Sequence, residues 1–369
     1  MSWDLIDLNS ICRPRQWKTL SMDKLQHEGF PVYGANGKIG FYSDYTHELP
    51  TLAITCRGAT CGSVHITDPM SYINGNAMAL DNVSEAVDIK FLYYFFQFRG
   101  FNDVISGSAQ PQITGEGLSK VQIPLPPLET QKRIADILDT ADALRLKDLE
   151  LLKKYDELAQ AIFIDMFGDP VKNEKGWVKI KLKDICFKIA DIDHKMPVED
   201  ENGLPFISAK DLKDDGTISF ENVKKISISD FERLSKKIKP ELNDIIYSRI
   251  GAKLGKARKV ITNNVFIVSY SCCTIKPNTE LINTDFLCYY LDSPFCLNEV
   301  LKKVRSIGVP DLGMDEIRDL KIPYPAIKKQ EVFSDALSKI EYSKEKFRNK
   351  FRANLFNSLL QKAFKGELI

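Results

Sequence analysis

The sequence predicts an α+β protein built twice over. Two β-rich domains are each followed by a long helix, the helices pair antiparallel as a coiled coil, and the halves are related by a pseudo-two-fold axis. Three observations predict it. A proline-rich phrase occurs twice, "KVQIPLPPLETQKRI" at 120–134 and "DLKIPYPAIKKQEVF" at 319–333, 199 positions apart. Other short matches follow the same order in both halves. After each phrase, apolar residues recur at threes and fours for roughly ten turns.

The matches are collinear. Trp17-Lys18-Thr19-Leu20 pairs with Trp177-Val178-Lys179-Ile180 at an offset of 160, and "VYGA" at 32–35 with "FISA" at 206–209 at 174. Gly58-Ala59-x-x-Gly62 matches Gly251-Ala252-x-x-Gly255 at 193, and "FLYYFF" at 91–96 matches "FLCYYL" at 286–291 at 195. Ile123, Pro124, Pro126 and Gln131 align with Ile322, Pro323, Pro325 and Gln330 at 199. An offset that only rises means two homologous halves, the second with longer loops near its start.

The first part of each half is a series of short β-branched and aromatic segments broken by Gly, Asn and Asp. "TLAITCRGATCGSVHIT" at 51–67 and "NDIIYSRIGAKLGKARKVIT" at 243–262 read this way, as strands and hairpins. The first long helix carries its stripe at Ile134, Ile137, Leu138, Ala141, Leu144, Leu151, Leu152, Tyr155, Leu158, Ile162 and Met166. It starts after the prolines, which its interior cannot hold, and stops at Gly168-Asp169-Pro170. About 37 residues make it roughly 55 Å long. The second begins near Lys329 and runs through Val332, Leu337, Ile340, Phe347, Phe351, Leu355 and Leu359 to Gly366. Each stripe is too thin to be buried alone, so the helices pair. Ile134, Ala141, Tyr155, Phe347 and Phe351 are expected in the shared core, with Leu146, Phe163, Phe356 and Leu360 left for partner contact. The expected boundaries are 1–125, 126–170, 171–324 and 325–369.

Composition narrows the function classes. A chain of 369 residues, 44% hydrophobic and 27% charged, suits two soluble folded domains. Asp4 and Asp7 interrupt the first residues, so no secretory signal is expected. "FLYYFFQF" at 91–98 is far short of the ~20 residues of a membrane helix. A cytoplasmic protein without membrane contact is expected. The eight cysteines form no C-x-x-C pair and the four histidines are scattered, so no metal, cofactor or disulfide framework is expected. With 51 basic and 50 acidic residues, net +1, any polyanion must be met by local patches.

The two "IP.P....Q" helix starts at 123–131 and 322–330, the helix exit "FGDPVKNEKGW" at 167–177, and the alternation of β-rich part and long helix carry a resemblance. Over essentially its whole length the sequence resembles the DNA specificity subunits of type I restriction–modification systems. The resemblance implies a non-catalytic subunit with two target recognition domains, each reading one half of a bipartite double-stranded DNA target. It implies helices that set the spacing between half-sites and dock two adenine methyltransferase subunits. Restriction subunits, which translocate and cleave DNA, can add to that assembly. Half-sites one helical turn apart, roughly 34 Å, fall within the span of such a helix pair.

Within that reading, the repeated strand-turn is the first candidate DNA contact. Gly58, Gly62 and Gly251 let backbone amides approach phosphates. Arg57 and Arg249 suit the O6 and N7 of guanine, while Thr60, Lys253, Lys256 and Arg258 suit the phosphate backbone. The same residues also fit a plain hairpin turn with solvated charges. The second candidate is the segment before each long helix, "SGSAQPQITGEG" at 106–117 and "RSIGVPDLGMDE" at 305–316. Ser108, Gln110 and Gln112, or Arg305, Ser306 and Asp311, offer hydrogen-bonding groups to base edges there. A loop that merely shapes the helix start is the competing reading.

Catalytic constellations fare worse. Asp292-Ser293-Pro294-Phe295 lacks the first proline of an adenine-holding Asn-Pro-Pro-Tyr. Residues 251–256 have too few positions between glycines for a phosphate-binding loop. Asp311 with Asp319 and Lys321 imitates a metal-dependent nuclease, but the first half has Gln112, Lys120 and Gln122 at the matching places. A protein-only scaffold stays open as an alternative class, distinguished by having no salt-dependent DNA affinity.

Overall fold

Fully buried β-branched runs, Leu52–Thr55 and Ile245–Ser248, form inner strands of two matching four-stranded antiparallel sheets. The computed structural model describes residues 3–107, 110–304, 308–349 and 352–368. The chain divides into two units, Met1–Leu152 with Phe347–Ile369, and Lys153–Lys346. These cut across the four successive segments expected from sequence, because each unit holds the start of one long helix and the end of the other.

In the first unit the sheet runs Arg13–Gln16, Ala77–Asp81, Leu52–Thr55, Val64–Ile66. Beside it, Phe30–Gly34 pairs antiparallel with Gly37–Tyr42 and parallel with Tyr72–Ile73. Leu5–Asp7 closes the unit by pairing with Gln122–Pro124, just before the long helix Leu128–Phe167. Phe356, Leu360 and Ala363 of the last helix, Arg352–Phe364, pack on Ile134, Leu138 and Ala141 and on Phe91 and Tyr94 of the helix Ile89–Arg99. The start of one long helix thus meets the end of the other, an antiparallel pairing.

The second unit repeats the plan. Its sheet runs Cys186–Ala190, Cys272–Pro277, Ile245–Ser248, Ala257–Lys259, and Glu199–Ile207 pairs parallel with Ile267–Val268. Lys179–Lys181 pairs with Lys321–Pro323 before the helix Ile327–Asn349. Here Phe163 and Phe167, near the end of the first long helix, pack on Phe333 and on Phe286 of the helix Thr284–Asp292.

One match of the sequence reading is corrected. Asp4 O accepts from the Leu125 amide as Val178 O accepts from the Tyr324 amide, so Trp177 answers to Trp3 rather than Trp17. The offset there is 174, the same as at Val32, and the extra length of the second half falls later. The loop after Glu199–Ile207 and the helix Ile228–Ser235 take it up.

The helix stripe is corrected as well. Phe163, Phe356 and Leu360, expected at partner surfaces, are buried at 0%, 6% and 9% exposure, whereas Leu158 is 46% exposed. In the second unit the buried seam is Ala159, Phe163 and Phe167, four apart, because the aromatic face of Thr284–Asp292 packs on that side. Leu146 does lie exposed, and Tyr155 and Phe347 are half-buried. Phe351 lies outside the described residues. Among those residues, no helix is long and apolar enough to cross a membrane.

The repeated glutamine explains the repeated phrase. Gln131, fully buried, donates to Ala86 O at 3.0 Å and Pro126 O at 2.8 Å, and accepts from the Asp88 amide at 2.8 Å. Gln330, also fully buried, donates to Pro325 O at 2.8 Å and accepts from the Asn283 amide at 2.8 Å. Asp88 and Asn283 are themselves the N-caps of Ile89–Arg99 and Thr284–Asp292. Each long helix is therefore clamped to the cap of the domain helix beside it. Replacing Gln131 with Leu strands the buried Pro126 carbonyl and two part-buried groups, Ala86 O and the Asp88 amide. Urea unfolding of the whole chain is expected to show a loss of about 2–4 kcal/mol in the first unit, and a loss below ~0.5 kcal/mol would refute the clamp.

Candidate nucleic-acid interface

Two segments singled out separately by sequence meet in each unit. In the first, the Gly58 amide donates to Pro111 O at 3.1 Å, the Ile113 amide donates to Cys56 O at 3.0 Å, and Arg57 faces Gln112 across an isolated antiparallel bridge. In the second, the Gly251 amide donates to Pro310 O at 2.9 Å, the Leu312 amide to Arg249 O at 2.9 Å, and Ile250 faces Asp311. The turns close alike, Gly62 amide to Thr55 O at 2.8 Å and Gly255 amide to Ser248 O at 3.0 Å. Gly58 and Gly251 hold φ of +93° and +90° with open space where a side chain would sit, so the left-handed backbone is what requires glycine.

A third loop joins each cluster, and the sequence reading missed it. The Thr60 hydroxyl lies 2.7 Å from Ala35 O and 3.0 Å from Asn36 Oδ1. In the second unit Lys253 and Lys256 reach Asp214 at 2.6 and 3.3 Å. The signal was present as Asn36-Gly37 and Asp215-Gly216, dipeptides that mark tight turns. Hydrogen bonds from Lys253 and Lys256 hold the Asp214 carboxyl below the usual carboxylate range.

The arginines are not equivalent. Arg57 is exposed and, among the described residues, its guanidinium takes no hydrogen bond within the chain. Arg249 aligns with Cys56 instead, and is 6% exposed. Its guanidinium donates to Leu312 O at 3.0 Å, Tyr270 O at 2.9 Å and Asp311 Oδ1 at 3.0 Å, with Asp191 3.8 Å away. Arg258 is 2% exposed, donates to Lys213 O at 2.8 Å and Ala257 O at 2.5 Å, and pairs with Asp292 at 2.8 Å. The expectation that these two arginines touch a base and a phosphate is corrected. With their donors used on nearby carbonyls and carboxylates, they hold the loops from beneath.

The remaining candidates divide simply. Gln110, Gln112 and Asp311 are exposed on the segment before the long helix. Ser108, Arg305 and Ser306 lie outside the described residues. The catalytic lookalikes dissolve into structural roles. Asp311 holds Arg249, Asp319 bridges Lys181 and Lys183 at 3.2 and 2.9 Å, and Asp292 accepts from the Ala257 amide while Ser293 caps the following helix. Among the described residues no three potential ligands group as a metal site.

Comparison with known proteins decides the family. The family model of the type I restriction modification DNA specificity domain matches residues 2–159 and again 174–353. The chain belongs to this family. A type I restriction enzyme specificity subunit of Methanocaldococcus jannaschii is 26% identical over 66% of the chain and 61% of its own length. The EcoBI specificity subunit of Escherichia coli is 25% identical over 75% of the chain and 65% of its own length. The chain thus spans under two thirds of the length of these curated relatives. The fold is shared with the S subunit of a type I system from M. genitalium, at TM-score 0.62 and 16% identity, over 98% of this chain and 96% of that one. The specificity family's duplicated domain is the repeat seen in the backbone hydrogen bonds above.

The inward and outward cations predict different mutant behaviour. Arg258→Ala removes the buried donor to Lys213 O and the ion pair to Asp292, which keeps the Ala257 amide, and is expected to cost about 2–4 kcal/mol. Lys253→Ala, at the surface, is expected to change stability by less than ~0.5 kcal/mol. Parallel urea titrations separate the two, and equal effects would overturn the assignment.

Proposed function

We propose that the chain is the non-catalytic DNA specificity subunit of a type I restriction–modification complex, each unit reading one half of a bipartite target. The observation that carries this is the duplicated three-loop cluster. Its backbone scaffold is the same in both units while its side chains differ, the exposed Arg57, Thr60 and Gln112 in one, the half-buried Lys253 and Lys256 and the exposed Asp311 in the other. A fixed frame with variable tips suits the reading of two different short sequences. Gln110 completes the proposed contact surface, whereas the amides of Gly58, Gly62 and Gly251, expected to approach phosphates, are taken by Pro111 O, Thr55 O and Pro310 O and shape the turns instead. The recognition domains are assigned to 1–125 and 171–324, with 126–170 and 325–369 as the spacer that docks two adenine methyltransferase subunits. Restriction subunits join the same complex, and the whole acts in the cytoplasm.

The first test is base-resolved mapping of N6-methyladenine in a methylation-free host, with the chain expressed alone and together with the methyltransferase encoded beside it. Methylation only with the partner, at two short blocks around a fixed gap, is expected. Methylation by the chain alone would reveal an active site, and none in either arm would favour a scaffold.

In the same assay, Arg57→Ala is expected to relax one half-site by about 5- to 150-fold and leave the other intact, from the ~1–3 kcal/mol of a bidentate base contact. Inserting four residues in each long helix adds about 6 Å per helix. The tolerated gap is expected to change, and an unaltered gap would refute the spacer role.

A further inference from the structure

We propose that Asp311 is a specificity-determining residue of the second unit, selecting a cytosine through its N4 amino group, and that Arg249 is the positioning residue that aims it. The inference rests on the DNA-reading function proposed above. Gln112 and Asp311 occupy one place in the two frames, each opposite the residue before the first loop glycine. Their chemistry differs in a way that bases can distinguish. A glutamine amide both donates and accepts, as adenine's N6 and N7 require. An ionised carboxylate only accepts. In the major groove cytosine offers a donor at N4 without an acceptor beside it, whereas guanine presents only acceptors and thymine an acceptor and a methyl group.

The surroundings of Asp311 hold it ready. Its side chain is 49% exposed, Oδ1 takes the Arg249 bond at 3.0 Å, and Oδ2 takes no hydrogen bond among the described residues. A carboxylate brought to DNA meets phosphate repulsion, which an adjacent buried cation offsets. Arg249 supplies that cation and fixes the aim. Its other donors go to Leu312 O, the next residue along the same loop, and to Tyr270 O.

In the first unit the buried support beneath this position carries no charge. Cys56 answers to Arg249, since their amides donate to Asn76 O and Ser271 O at 3.0 and 2.9 Å, and the strand register places Gln16 opposite to where Asp191 stands. There Gln16 donates to Cys56 Sγ at 3.0 Å and to Gly75 O at 3.1 Å, and Gly75 answers to Tyr270. A buried cation therefore stands beneath the reading position that is an anion, and none stands beneath the neutral Gln112, whose neighbour Arg57 is exposed instead.

The test compares methylation motifs of the whole complex with the natural chain and with Asp311→Gln. The expected result is one C·G pair in one half-site losing its requirement by about 5- to 150-fold, the other half-site unchanged. Arg249→Lys keeps a charge but not the three-way fork, and is expected to relax that same pair. An unchanged motif with Asp311→Gln, or relaxation at a pair other than C·G, overturns the proposal while the bipartite reading stands. Failure of the natural chain to give any bipartite motif overturns both.

Discussion

The structure depends on a buried amide at the first turn of each long helix. A proline-rich segment leads into the helix, and because prolines bring no N–H donors the carbonyls of Pro126 and Pro325 take their partner from a side chain. Gln131 and Gln330 take those carbonyls and, with their own oxygen, the amide of the residue capping the neighbouring domain helix. A buried side chain with three or two such bonds has little freedom to choose another rotamer. The angle at which each β-rich part meets its helix is thereby set by one residue. That is why the phrase is repeated when much around it has diverged.

The far end of the first helix is closed by a similar economy of parts. Gly168 turns the chain at φ +73°, the Trp177 ring nitrogen donates to Phe167 O at 2.8 Å, and Asn173 exchanges hydrogen bonds with the Trp177 backbone. Within the second unit, Lys344 sits in the helix seam at 8% exposure, bridging Asp156 and Glu341 at 2.7 Å each. A charged residue in an otherwise apolar seam costs stability if the partner slips, and so favours one register.

Charge is spent locally. A net charge of +1 leaves no general attraction to a polyanion. Lys253 and Lys256 share Asp214, so under the proposed function DNA phosphates would compete with a carboxylate for them. On that reading, affinity would rest on a few contacts and on partner subunits, and discrimination on which tips the loops present.

Sequence alone determined the duplication, the fold class, and the start and stop of the first long helix, because periodicity, proline and glycine act over a few residues, while the family was reached through the resemblance of its repeated motifs. It singled out the glycine turn and the pre-helix segment separately, and these are the two segments that meet in each unit. It gave Arg57 and Arg249 the same role because both are arginines just before a glycine turn, although Ile250 separates Arg249 from Gly251, and it placed Phe163, Phe356 and Leu360 at a partner surface because a single-helix stripe cannot show what a second element covers. The tertiary structure decided those points. Whether a guanidinium faces solvent or the interior is set by Tyr270 O, Leu312 O and Lys213 O, carbonyls brought close only by strand pairing across some 20 to 60 positions of chain.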